Sequence, residues 1–167
     1  MGAGDPRTRK TIVVGYDGTA PAEHALGRAA EYARAFSAKV VVVSVAAPLP
    51  LAEVGAPGAF GLTPYAGYPA GDPNQVAARN EQLWEQHRDR VRAFFADADL
   101  PVEFAGIAGE PARELVDSAE QHQADLIVVG TRDPDFLDRL LGGSVSQQVA
   151  RRARCDVLIV RPGDDQE

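Results

Sequence analysis

The chain has 167 residues, enough for one domain with a core of its own, and its 45% hydrophobic and 25% charged residues are those of an ordinary soluble globular protein. A net charge of −7 argues against a nucleic-acid surface, and the single cysteine, Cys155, rules out a disulfide within the chain. No apolar run approaches the roughly 18 residues that a membrane span needs, and the opening MGAGDPRTRK has no signal-like apolar centre, so a cytoplasmic location is expected.

Residues 1–10 are polar and are expected to be a flexible N-terminus, as residues 163–167 are at the other end. Thr11 to Tyr16 (TIVVGY) is a β-branched run that predicts a buried first strand. Asp17-Gly18-Thr19 is turn chemistry, with Thr19 placed to cap a helix and Pro21 tolerable in its first turn. From Ala22 the apolar residues recur at helical spacing through Phe36. Val40 to Val45 (VVVVSV) is a second strand, continuous rather than alternating, as a strand covered on both faces should be.

Residues 46–73 break this pattern with closely spaced prolines and glycines, among them Phe60, Tyr65 and Tyr68, and are expected to form a mobile insertion within one domain. Residues 74–98 predict a long helix with Leu83, Trp84, His87, Val91, Phe94 and Phe95 on its buried side. His87 in that stripe reads as a packed histidine rather than a ligand. Val102 to Ile107 is a third strand, and Gly109-Glu110-Pro111 opens a third helix, in whose last turn His122 suits the dipole. Leu126 to Val129 is a fourth strand, residues 143–154 a fourth helix, and Val157 to Arg161 a fifth strand preceded by a structural Cys155. Strand and helix alternate throughout. The fold class is therefore α/β, a single domain over residues 11–162 with an open five-stranded parallel sheet and helices on both faces.

In such sheets ligands settle at the carboxyl ends of the strands, where the strand order reverses. Three of those ends carry glycine: Gly15 with Asp17 beyond it, Gly109, and Gly130, while Val45 ends the second strand. The most informative stretch is Asp125 to Pro162, where a strand, a loop, Gly142-Gly143-Ser144 and a helix follow in turn. A helix's first amides lack internal partners and its dipole is positive there, so this is a phosphate-binding arrangement. Gly143 permits close approach of the main chain, and Ser144 and Ser146 add hydroxyls. Against this, Gly143-Ser144 also suits an ordinary helix start, and Asp17 suits either a ligand contact or the turn before the first helix. Three histidines on separate helices and one distant cysteine give no metal spacing, and GGSVS is not a nucleophile elbow. Hence neither a metal centre nor a catalytic residue is expected.

The segments VVGYDGTAPAEHAL, GIAGEPARELVDSAEQHQADLIVVG and GGSVSQQVARRARCDVLIVRP together resemble the universal stress protein family over nearly the whole of residues 11–162. The resemblance implies strand order 3-2-1-4-5 and a regulatory protein of the stress response that binds an adenine nucleotide, ATP or AMP, and has at most slow, incidental hydrolysis. Asp17 would meet the adenosine end, Val45 would offer backbone to adenine, and Gly109 would line the ribose side. Gly130, Gly143, Ser144, Val145 and Ser146 would surround the phosphates. The ATP fingerprint of the family is Gly, two residues, Gly, nine residues, Gly, then Ser or Thr. Its spacing is kept here, but the second glycine is Asp133.

A carboxylate about 4 Å from a phosphate repels it by about 4 kcal/mol at an effective dielectric near 20. Mg2+ bridging the two would reverse that sign, and Arg132 would offset the charge by contacting phosphate. Pro134 removes a backbone donor beside it. The alternative is a nucleotide-free interaction module of the same fold, with a degenerate phosphate site. In either case the apolar last strand lies at a sheet edge, which implies a homodimer joined through Val157–Val160.

Overall fold

The computed structural model describes residues 10–46, 72–131 and 144–161. In chain order the elements are β1 (Thr11–Gly15), α1 (Ala20–Phe36), β2 (Lys39–Ala46), α2 (Pro73–Phe94), β3 (Val102–Ala108), α3 (Pro111–Gln121), β4 (Leu126–Gly130), α4 (Val145–Arg152) and β5 (Asp156–Val160). The five strands form one parallel sheet in the order β3-β2-β1-β4-β5, as predicted. The expected insertion at residues 46–73 lies mostly outside the described residues. Its ends do not: Ala46 closes β2, and Pro73 begins α2 behind the N-cap Asp72, whose carboxylate accepts from the Asn74 N–H at 3.0 Å.

The valine runs place side chains alternately on the two faces. Ile12, Val14, Val40 and Val42 join α1 and α2 in one core, while Val13, Val41 and Val43 join α3 and α4 in the other. α1 meets the sheet with Ala22, Ala25, Ala29, Ala30 and Ala33 around Leu26, a stripe of small residues that lets the helix lie close to the central strands. Ser37, at φ 52, ends it, and the Ala38 N–H returns to the Ala33 carbonyl at 2.9 Å.

Several boundaries differ from expectation, most by a single residue. α2 stops at Phe94 instead of running to residue 98. Asp97 and Asp99 would face the negative end of the dipole, and Pro101 biases the chain to extended backbone. Where helical spacing ends, Phe95 turns inward and Phe94, 46% exposed, stands T-shaped against it at 5.0 Å. The buried side of α2 is therefore Asn80, His87 and Val91, with Leu83 and Trp84 half-buried. α4 is shorter than predicted, and β5 is shifted by one residue to Asp156–Val160. His122 caps the end of α3 and does not lie within its last turn.

Candidate functional site

A cavity of about 420 Å³ opens at the carboxyl ends of β1, β2 and β4, astride the β1–β4 pair where the strand order reverses. That volume lies within the range of small-molecule sites. Gly15, Asp17, Val45, Gly130, Ser144, Val145 and Ser146 all line it, so seven of the sequence-predicted residues converge there. Gly109 does not. It follows β3 beside the cavity, its N–H donating to the Ala46 carbonyl at 3.1 Å, and the Glu114 side chain occupies the space next to it. Arg132, Gly143 and Asp133 lie outside the described residues.

Each lining group owes its place to local structure. Gly130 is required by packing: a Cβ there would stand 2.6 Å from the carbonyl carbon of Pro21, so the first turn of α1 rests directly on the end of β4. At Gly15 a Cβ would come within 3.0 Å of Leu115, which instead forms the apolar wall with Val129 and Val43. Asp17 accepts from both the N–H (3.1 Å) and the hydroxyl (2.5 Å) of Thr19. Thr19 occupies the N-cap of α1, yet its side chain makes no cap bond because it is turned to Asp17.

Three helix N-termini reach the cavity, and their chemistry differs. α3 is closed by the Glu110 carboxylate, which accepts from the N–H groups of Ala112 (3.2 Å) and Arg113 (2.9 Å) and pairs with Arg152 at 3.2 Å. α1 has the Asp17 carboxylate before it and Glu23 in its first turn. α4 has no acidic residue in its first turn. Its cap is the Ser144 hydroxyl, accepting from the Gln147 N–H at a long 3.4 Å, with the buried Ser146 hydroxyl 3.3 Å away. The amides of Val145 and Ser146 have no acceptor within the helix. Among the described residues, α4 is thus the one terminus whose potential is not offset by a carboxylate, and it can take a small anion.

Tyr16, Thr19, Pro21, Leu115 and Thr131 also line the cavity and were not foreseen. Tyr16 and Leu115 sit in apolar runs and read as core, which they also are. Thr131, just past Gly130, is buried with its N–H on the Val160 carbonyl at 2.9 Å. Burial raises the pKa of the Tyr16 phenol and also that of the Cys155 thiol, which keeps the thiol protonated and poorly reactive. No group of three or more His, Cys, Asp or Glu side chains suited to a metal occurs among the described residues, nor does any described helix suit a membrane span.

A doubly wound parallel sheet with an apolar-walled cavity at its reversal point and a serine-capped helix facing it defines the ligand-binding class of α/β proteins. The family follows from comparison: the profile of the Universal stress protein family matches residues 8–161, and the chain belongs to that family. It is 38% identical to Universal stress protein Rv1636 of Mycobacterium tuberculosis over 152 residues, covering 90% of this chain and 95% of that one. Among solved structures it is similar to a universal stress protein in complex with cAMP, with 28% identity, a TM-score of 0.63, and 93% and 98% of the two chains covered. A universal stress protein from Archaeoglobus fulgidus in complex with dAMP shares the fold, with 22% identity, a TM-score of 0.57, and coverage of 90% and 97%.

Proposed function

We propose that this protein is a regulatory adenine-nucleotide binder of the stress response, holding the nucleotide in the cavity between β1 and β4. The observation that carries the reading is the α4 terminus, a helix start with no acidic residue in its first turn and two serine hydroxyls, opening on an apolar cavity of nucleotide-compatible size. Val43, Val45 and Leu115 would accept the base, Asp17 the ribose, and the Val145 and Ser146 amides with the serine hydroxyls the phosphates. The structure with cAMP, at 28% identity, supports the ligand class. ATP is the favoured member, with Mg2+ offsetting Asp133. The chain is proposed to bind the nucleotide rather than turn it over, since among the described residues the cavity lining holds no histidine, cysteine or lysine. A cytoplasmic location accords with this role.

Equilibrium binding of labelled ATP, with and without Mg2+ and in competition with AMP and cAMP, tests the proposal. Binding that needs Mg2+ in the wild type and not in Asp133→Gly would assign the charge effect to Asp133. Absence of binding by either protein would leave the nucleotide-free module as the correct reading.

We further propose a homodimer through β5. That strand pairs with β4 on one side, and its Val157, Leu158 and Ile159 remain only half-buried. The opposite edge, β3, instead carries Glu103 and Gly106 within its apolar run. Gel filtration of the wild type against a Val157→Lys/Ile159→Lys variant tests this, and a wild-type monomer refutes it.

A further inference from the structure

The cavity rim is held from behind by a helix that contributes nothing to its lining. α2 lies on the opposite side of the Asp17–Thr19 turn, and two of its residues touch that turn directly. The Arg90 guanidinium donates to the Gly18 carbonyl at 3.4 Å. The His87 imidazole fills the space where a Gly18 side chain would be: a Cβ there would stand 2.8 Å from Nε2. Gly18, at φ +77, is the one residue type that gives both this backbone conformation and this contact at low cost. His87 is itself fixed, 5% exposed, with Nδ1 2.7 Å from the buried Ser44 hydroxyl and its ring T-shaped to Tyr16 at 5.1 Å.

We propose that His87 and Arg90 are positioning residues that set the Asp17–Thr19 turn for ligand binding, so that nucleotide affinity depends on His87 remaining neutral. The inference rests on the nucleotide reading above.

Among the described residues, the charged and titratable groups facing His87 are Arg90 on its own helix and Asp17 and Tyr16 at the end of β1; Glu23 of α1 acts on Tyr16. From β2 it meets the uncharged Ser44. Burial is the larger influence and Arg90 the next, and both favour the neutral ring, whereas Asp17 opposes them. On protonation both ring nitrogens become donors, Nδ1 toward Ser44 and Nε2 toward Gly18, and a second cation stands beside Arg90. The new charge is repelled by Arg90 and attracted by Asp17. The Asp17 carboxylate is then drawn back from Thr19 and from the cavity, and the rim loses its shape.

Two measurements on the full chain test this. The first follows the backbone amide signals of Gly18 and Thr19 by NMR from about pH 7.5 to about pH 5, which spans the ordinary histidine pKa of ~6.5 and the range below it. They should move with the same midpoint as the His87 ring protons in the wild type and lose that transition in His87→Gln. The second measures ATP affinity over the same range. The wild type should lose at least about fivefold relative to His87→Gln, the lower end of typical coupling between linked sites. Titration of ATP itself is common to both proteins and cancels.

Parallel affinity profiles, or Gly18 and Thr19 signals that ignore the His87 midpoint, overturn the proposal. A wild type that binds no ATP even at pH 7.5 overturns the nucleotide reading and the affinity coupling with it. The amide titration then still decides, separately, whether α2 sets the turn.

Discussion

The Thr19 hydroxyl donates to the Asp17 carboxylate, so the residue at the N-cap of α1 does not cap it. Asp17 closes the turn with two bonds from Thr19 and at the same time lines the cavity. The two roles separate by substitution. Asp17→Asn keeps an oxygen acceptor for Thr19, and unfolding in urea should show it within about 1 kcal/mol of the wild type, as for one exchanged neutral hydrogen bond. Its ATP affinity should fall if the carboxylate meets the ribose. Asp17→Ala should lose both, with Thr19 released to cap α1 and recover part of the stability. Equal ATP affinity for wild type and Asp17→Asn would remove the carboxylate from the ligand contacts.

Glycines 27 and 130 make opposite predictions from the same substitution. A Cβ at Gly130 meets the Pro21 backbone, which cannot yield without moving the start of α1. Gly130→Ala should cost about 1–3 kcal/mol, the usual penalty of overpacking, and lower the melting temperature. Gly27, inside α1, has nothing within 4 Å of its added Cβ. Gly27→Ala should stabilise by ~0.5–1 kcal/mol through helix propensity. Two destabilised variants, or two neutral ones, would contradict the packing described.

Trp84 offers an optical test of how α2 sits on the sheet, because it is the only tryptophan in the chain. Its indole N–H donates to the Ser44 carbonyl at 3.1 Å, and its ring lies over Gly106 of β3, where an added Cβ would stand 2.5 Å from the ring. Gly106→Ala should push the indole outward and shift its fluorescence to longer wavelength. Unchanged emission with unchanged stability would mean that the ring does not rest on Gly106.

Much of the fold was legible because its signal is local. Continuous valine runs in β1 and β2, with helical spacing between them, dictate a sheet covered on both faces, and they packed that way. The site frame was legible for the same reason, since Gly15, Gly130 and Ser144 stand at strand and helix ends that the pattern marks. What escaped depends on partners far along the chain. That Gly130 is required by Pro21, that Leu115 walls the cavity, and that Thr19 turns to Asp17 are matters of three-dimensional neighbourhood. Gly109 was placed by resemblance, and in the structure Glu114 stands against it. The end of α2 was misplaced because apolar spacing continued through Phe94 and Phe95 beyond the point where Asp97 and Asp99 oppose the dipole.

Stability in acid turns on Asp125, which ties the starts of β1 and β4 together. Its carboxylate accepts from the Thr11 N–H and from the Lys10 ammonium, each at 2.9 Å, while its own N–H donates to the Thr11 carbonyl at 2.9 Å. The Thr11 bond is the main cause, and Lys10 the next, that hold its pKa below the ordinary 3.8. A depressed carboxyl pKa means that the unfolded chain binds the proton more readily. The stabilisation is therefore present above about pH 3.8 and is lost as the pH falls through the lower folded value. The side chain is 41% exposed, so the effect is modest and weakens with salt. Glu103, held down by Lys39, acts in the same direction, whereas His87 acts at higher pH: its lowered pKa makes stability decline once the pH drops below ~6.5. Urea unfolding from about pH 7 to about pH 3 should show two declines. Asp125→Asn should flatten only the lower one, leaving the Glu103 part, and His87→Gln only the upper one. If Asp125→Asn retained the full lower decline, the Lys10–Asp125–Thr11 contact would not be the source of the acid sensitivity.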